Sequence, residues 1–178
     1  MVRKNKFLRI HFLAGLFAIL LASVSVQAAN GDLVRLVDPL DEPEFYCLDL
    51  SGYGDHLKLE DPLQAHTCKG ESPADQLFTA VDGKITVGDT DRCLQVAVSS
   101  GEPMAGVSII ARACSSTSYQ ALNLEANGQI KLGETNLCLA AGTESTAASG
   151  PSHIWRVLSV QDCESVESAR STWQVGMK

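Results

Sequence analysis

Tyr46-Cys47-Leu48-Asp49-Leu50, followed by Gln64-Ala65-His66-Thr67-Cys68, is the stretch on which the reading of this 178-residue chain turns. Laid against the rest of the chain at a period of about forty-five residues, it recurs twice. The second copy reads Arg92-Cys93-Leu94-Gln95-Val96 and Ile110-Ala111-Arg112-Ala113-Cys114. The third reads Leu137-Cys138-Leu139-Ala140 and Val160-Gln161-Asp162-Cys163. Each copy is preceded by a short apolar segment: Leu33 to Val37, Lys84-Ile85-Thr86-Val87 and Gln129-Ile130-Lys131-Leu132. Each is followed by a closing element: Asp75-Gln76-Leu77-Phe78, Tyr119-Gln120-Ala121-Leu122 and Ser171-Thr172-Trp173. The repeats run over about 33–81, 82–126 and 127–175.

All six cysteines fall in these repeats. Cys47 to Cys68 and Cys93 to Cys114 are both spacings of 21, and Cys138 to Cys163 is 25, so the third repeat carries four extra residues in its Ser/Ala/Gly-rich stretch after Gly142. Matched spacing predicts matched bridges, Cys47–Cys68, Cys93–Cys114 and Cys138–Cys163, one for each repeat. Zinc binding needs close pairs such as Cys-x-x-Cys, and these cysteines are too far apart for it, so neither a metal nor a cofactor is expected.

Apolar and polar residues alternate near period two in Ile85-Thr86-Val87 and Ile130-Lys131-Leu132, and turn residues interrupt the chain every eight to twelve positions. The expectation is an all-β body. Asp82-Gly83 and Asn127-Gly128 stand at equivalent places and are strong hairpin turns, because both residue types accept positive φ. The segment Leu33 to Val37 has no partner before it and Trp173-Gln174-Val175 has none after it. The two ends are expected to pair and close the sheet, which removes exposed strand edges. Phe78, Leu122 and Trp173 are expected in the core.

Ahead of the repeats, Arg3, Lys4, Lys6 and Arg9 precede an apolar run from Phe12 to Val26 that ends on Val26-Gln27-Ala28. This is the pattern of a signal peptide, residues 1–28, too short to span a bilayer. The expected product is one domain, residues 29–178, secreted or periplasmic, with no membrane span after cleavage. The net charge of −7 becomes −11 once the four leader cations are gone. A surface that acidic disfavours nucleic acid, whose binding needs basic patches.

The three cysteine-bounded repeats, with Cys-Leu-x in each and variants of Gln-x-aromatic at their ends, resemble the ricin-type β-trefoil lectins over nearly all of the mature chain. The resemblance implies a β-trefoil, twelve strands in three pseudo-repeats. It also implies a sugar pocket wherever a repeat has an aspartate two residues after its first cysteine, a polar residue and a ring four and two residues before its second, and Asn or Asp with Gln at its close. Repeat one fills every place, with Asp49, Gln64, His66, Asp75 and Gln76. A carboxylate can accept from two neighbouring sugar hydroxyls at once, a flat ring can lie on the apolar face of a pyranose, and an amide both donates and accepts. Gln76 and Gln120 are also expected to bond the backbone near the closing turn.

Repeat two has Gln95, Ile110, Arg112 and Tyr119 in those positions, and repeat three has Ala140, Ser159, Gln161 and Arg170. Both are expected to be scaffold only. A monovalent lectin with a single shallow pocket is then expected to bind weakly, at about −4 to −8 kcal/mol, with a galactose-like sugar the leading ligand. No Gly-x-Ser-x-Gly or His-Glu-x-x-His occurs, and Asp49 and Asp75 in a shallow pocket are expected to stay solvated and ionised, so no enzyme is expected. With no catalytic domain attached, the protein is expected to act alone or to bind a partner non-covalently. The alternative reading is a protein-interaction trefoil, such as a toxin delivery subunit or a secreted inhibitor, using the third-repeat insertion and Trp155, which has no counterpart in the other repeats.

Overall fold

The structure is a computed structural model that describes residues 31–70, 73–88, 90–150 and 152–176. The leader expected over residues 1–28 lies outside them. Twelve strands are formed by the described residues. Repeat one supplies β1 (Val34–Leu36), β2 (Tyr46–Asp49), β3 (Gln64–Thr67) and β4 (Phe78–Val81). Repeat two supplies β5 (Lys84–Val87), β6 (Arg92–Val96), β7 (Ile109–Ala113) and β8 (Leu122–Leu124). Repeat three supplies β9 (Ile130–Leu132), β10 (Leu137–Ala147), β11 (Ile154–Asp162) and β12 (Trp173–Val175).

The three repeats share one register. Cys47 lies opposite His66 and Asp49 opposite Gln64; Cys93 lies opposite Arg112 and Gln95 opposite Ile110; Cys138 lies opposite Gln161 and Ala140 opposite Ser159. On the other side of each first cysteine stand Arg35, Thr86 and Lys131. The three disulfides join the pairs expected from the spacing. Period-two patterning turns Leu48, Leu94 and Leu139 into one common core, where all three are fully buried with Phe78, Leu122 and Trp173.

Chain closure follows the expected route. β1 and β12 are antiparallel, with Val34, Arg35 and Leu36 opposite Val175, Gln174 and Trp173. The two turn dipeptides behave differently. Asp82 and Gly83 both have positive φ, 49° and 70°, and form a two-residue turn between Val81 and Lys84. At the equivalent place only Gly128 has positive φ, 84°. There the Gly128 N–H donates to the Glu125 carbonyl and the Glu125 N–H to that of Gln129, so Asn127 sits inside a longer loop and its side chain accepts from the Gln129 N–H.

One-turn helices deliver the closing elements: 3₁₀ turns at Ala74–Gln76 and Ser118–Gln120, and a short α-helix at Ser168–Ser171. Gln76 and Gln120 make the same bonds. Their side-chain oxygens accept from the Lys69 and Ser115 N–H groups, and their nitrogens donate to the Thr67 and Ala113 carbonyls, each just before a second cysteine. Both glutamines are fully buried, so these bonds satisfy groups that would otherwise cost free energy.

The four extra residues of repeat three lengthen the β10–β11 hairpin, whose register shifts between Ala141 and Ser145. The lengthened end of β11 stays paired with β10 on one side and pairs on the other with β3 of repeat one, with Trp155, Arg156 and Val157 opposite His66, Ala65 and Gln64. Arg156 fixes this crossing. Its guanidinium donates to the Gly142 and Thr143 carbonyls at 2.7 and 2.6 Å and to Asp41 Oδ1 at 2.6 Å, and lies 5.3 Å from the Tyr46 ring centre. Asp41 also accepts from Ser145 Oγ and Tyr46 Oη at 2.6 and 2.7 Å. Desolvation works against its ionised form, but these hydrogen bonds win and hold the Asp41 carboxyl well below the usual carboxylate range. Burial, with Asp41 as hydrogen-bond partner, pushes the Tyr46 hydroxyl up to about 12.

Candidate functional site

At the junction of β2, β3 and the crossing end of β11, a pocket of about 370 Å³ opens. Its walls include Asp49, Gln64 and His66 from repeat one and Ser149, His153 and Trp155 from repeat three. The shared register puts Asp49, Gln64, His66 and Trp155 on one sheet face, because residues directly opposite one another point the same way.

Asp49 forms the floor, and it differs from the expectation of a solvated carboxylate. Its side chain is fully buried and that of Asp75 is 5% exposed. The reason is Lys69, whose ammonium donates to Asp49 Oδ2 at 2.8 Å and also to Asp75, so one cation serves two carboxylates. Gln76 Nε2 donates to the same Asp49 oxygen at 2.7 Å, and Gln64 Nε2 donates to Oδ1 at 3.1 Å. Burial still dominates for Asp49 and pushes its carboxyl above the ordinary range, against the pull of Lys69 and Gln64. For Lys69 burial acts in the opposite sense and is outweighed by the two carboxylates, which hold the ammonium above the usual lysine value.

Of the five expected residues, Asp49, Gln64 and His66 line the pocket, while Asp75 and Gln76 stand behind it. Asp75 neutralises Lys69, and Gln76 ties Asp49 to the backbone of β3 through the Thr67 carbonyl. His66 is 7% exposed. Its Nδ1 lies 2.9 Å from the Thr67 carbonyl, which only accepts, so Nδ1 carries a proton and the Nε2 edge is left without that partner. The His153 ring meets it edge to face, with centres 5.4 Å apart.

Four further side chains were not singled out for this site by sequence reasoning. Lys69 has a sequence signal, since the residue after the second cysteine is Ser115 in repeat two and Glu164 in repeat three, and repeat one alone has a cation there. Tyr53, 73% exposed, projects from the loop after β2. His153 and Trp155 belong to another repeat, so comparison of aligned positions within a repeat does not reveal them.

The loop carrying Tyr53 depends on Gly52, whose φ is +93° and on which a Cβ would fall against the His56 carbonyl oxygen. Gly52→Ala is expected to displace the loop and cost about 1–3 kcal/mol, the usual range for a strained backbone position. Denaturant unfolding and the tyrosine signals of an NMR spectrum are the measurements; an unchanged unfolding midpoint would contradict the assignment.

In repeat two, Gln95 takes the place of Asp49 and accepts from Gln120 Nε2 at 3.0 Å, while Arg112, opposite Cys93, pairs with Glu60 at 2.8 Å. In repeat three, Ala140 is buried, Gln161 donates to Ser159 Oγ, and Arg170 donates to the Ala141 carbonyl. Neither has a carboxylate at the place of Asp49.

Twelve strands in three equivalent repeats define the β-trefoil class. Residues 42–165 match the family described as "Ricin-type beta-trefoil lectin domain", and the chain belongs to that family. No curated protein matches it. Among solved structures it is similar to the mdaA-1 domain, at 15% identity over 84% of this chain and 91% of that one, with a TM-score of 0.57. It is also similar to an earthworm lectin C-terminal domain mutant in complex with 6'-sialyllactose, at 11% identity over 81% and 97%, with a TM-score of 0.51. At these identities the two structures speak for the fold.

Proposed function

We propose that the chain is a monovalent lectin whose pocket at Asp49 holds one sugar residue of a glycan. The observation that carries this reading is the partly used hydrogen-bonding capacity around Asp49. Asp49, itself fully buried, anchors Gln64 and Lys69 at the pocket surface, and Lys69, 24% exposed, spends two of its three N–H groups on carboxylates and keeps a third to donate. Gln64 Oε1 adds an acceptor, and the His66 Nε2 edge a further polar contact. This is a set that reads the placement of hydroxyl groups, and a galactose-like hexose is the first sugar to test.

Binding without catalysis is the corresponding proposal for chemistry. Hydrolysis of a glycosidic bond needs two carboxyl groups flanking it across open space, whereas Asp49 and Asp75 share one ammonium in a single ion cluster. The three disulfides are compatible with an oxidising compartment. Among the described residues no helix is long and apolar enough to cross a membrane. Export through a leader over residues 1–28, and a mature domain over 29–178, complete the proposal.

Asp49→Asn tests it with two readouts. On a glycan array the variant is expected to lose the wild-type signal by at least tenfold, because an amide no longer holds the Lys69 ammonium and the Gln64 side chain as the carboxylate does. Its stability should behave in the opposite way. A carboxyl whose folded value is raised makes the wild type less stable as pH climbs through the ordinary carboxylate range, and the asparagine does not titrate. Relative to wild type, the variant should therefore gain stability as pH rises through and above the ordinary carboxylate range, about pH 4. Absence of wild-type binding to every glycan would overturn the lectin reading and favour a protein partner.

A further inference from the structure

The pocket is larger in extent than one sugar on Asp49 accounts for. Neighbouring strands lie about 4.8 Å apart, so Asp49 on β2 and Trp155 on β11, two strands away across β3, are separated by about 10 Å along the sheet. One pyranose seated on Asp49 does not bridge that distance. The far end is differently made. Around Asp49 the groups are Gln64, Lys69 and His66, all polar; at the other end stand the half-buried Trp155 and His153, with Ser149 and Gly150 at the hairpin tip.

This far wall is held in place by hydrogen bonds within the fold. Thr67 Oγ1 donates to Glu42 Oε2 at 2.7 Å and accepts from the Ile154 N–H at 2.9 Å, which pins the residue between His153 and Trp155 to β3. Arg156, on the next position, is tied to Asp41 and to the two carbonyls at the root of the hairpin. A wall fixed in this way loses little conformational freedom when a ligand binds.

We infer that Trp155 and His153 form a second sugar subsite, which holds the residue linked to the sugar on Asp49, so that the ligand class is an oligosaccharide of at least two pyranoses. This rests on the lectin reading of Asp49. An indole presents a broad apolar face suited to the C–H face of a pyranose, and the His153 edge supplies a polar contact for a hydroxyl. The hairpin of repeat three then decides which glycan is selected, while repeat one decides which terminal sugar is accepted.

The test is an array of single hexoses and N-acetylhexosamines beside disaccharides ending in the same sugars, galactose with lactose and N-acetyllactosamine among them, followed by titration of the best pair. Wild type is expected to favour the disaccharide by about tenfold or more. In Trp155→Ala that ratio is expected to fall to between one and three, and His153→Ala, at the hairpin tip and outside the core, should lower it in the same direction. Retained disulfides and an unaltered β-sheet circular dichroism spectrum establish that each variant is folded. Equal wild-type affinity for the single sugar and the disaccharide would overturn the second subsite and leave the Asp49 site standing. So would an unchanged ratio in both variants. No signal on any sugar would overturn both.

Discussion

Full reduction of the three disulfides under otherwise native conditions is expected to unfold the domain. Each bridge closes a loop of 21 or 25 residues, and by the chain-entropy estimate each restrains the unfolded chain by about 3 kcal/mol. Together they approach about 10 kcal/mol, comparable with the whole stability of an ordinary domain, about 5–15 kcal/mol. The bridges also lie where the sheet is most finely registered, since every first cysteine sits directly opposite the residue two before its partner. Circular dichroism with and without dithiothreitol reads the outcome, and denaturation of a Cys47→Ser/Cys68→Ser variant isolates one bridge. That variant should lose about 2–4 kcal/mol. A reduced protein that keeps the oxidised denaturation midpoint would show that the core alone sustains the fold.

The second large effect is expected at Trp173. Its side chain is 1% exposed, its indole N–H donates to the Leu139 carbonyl at 2.9 Å, and its backbone lies opposite Leu36 in the pair of strands that closes the chain. Trp173→Ala should cost about 3–5 kcal/mol from the cavity, lowering Tm by roughly 10–20 °C for a domain of this size. The orphaned Leu139 carbonyl adds to the loss. Trp173→Phe separates the two contributions, because it keeps most of the buried ring and removes only the donor. A loss below 1 kcal/mol in Trp173→Ala, measured by denaturant unfolding, would remove Trp173 from its place as the keystone of closure.

The architecture was legible in the sequence because it is repetitive. Three cysteine pairs at matched spacing fixed the register of β2 on β3, β6 on β7 and β10 on β11, and terminal segments without local partners announced the β1–β12 pairing. Turn chemistry was legible to a lesser degree: Asp82-Gly83 has positive φ at both residues, whereas Asn127 avoids it because the three-residue loop assigns that conformation to Gly128 alone.

The candidate site was legible only in its first half. Asp49, Gln64 and His66 were marked by the resemblance to the ricin-type lectins, and the cation at Lys69 stands out when the repeats are compared. His153 and Trp155 could not be found in either way, since their contacts with β3 join residues 87 positions apart in the case of Ile154 and Thr67. The burial of Asp49 was equally out of reach, being the result of one ammonium drawn between two carboxylates from different turns of the chain.

The crossing of β11 onto β3 bears on how such a protein can be remade. A perfectly symmetric descendant, assembled from three tandem copies of residues 33–81, would inherit three equivalents of Asp49, Gln64, His66 and Lys69, and so triple the valency on paper. It would inherit neither Trp155 nor the Arg156 clasp, which belong to the third repeat. Duplication would thus multiply the polar half of the pocket around Asp49 and discard the half built by the repeat-three hairpin. The departure from threefold symmetry is where this trefoil's individuality resides.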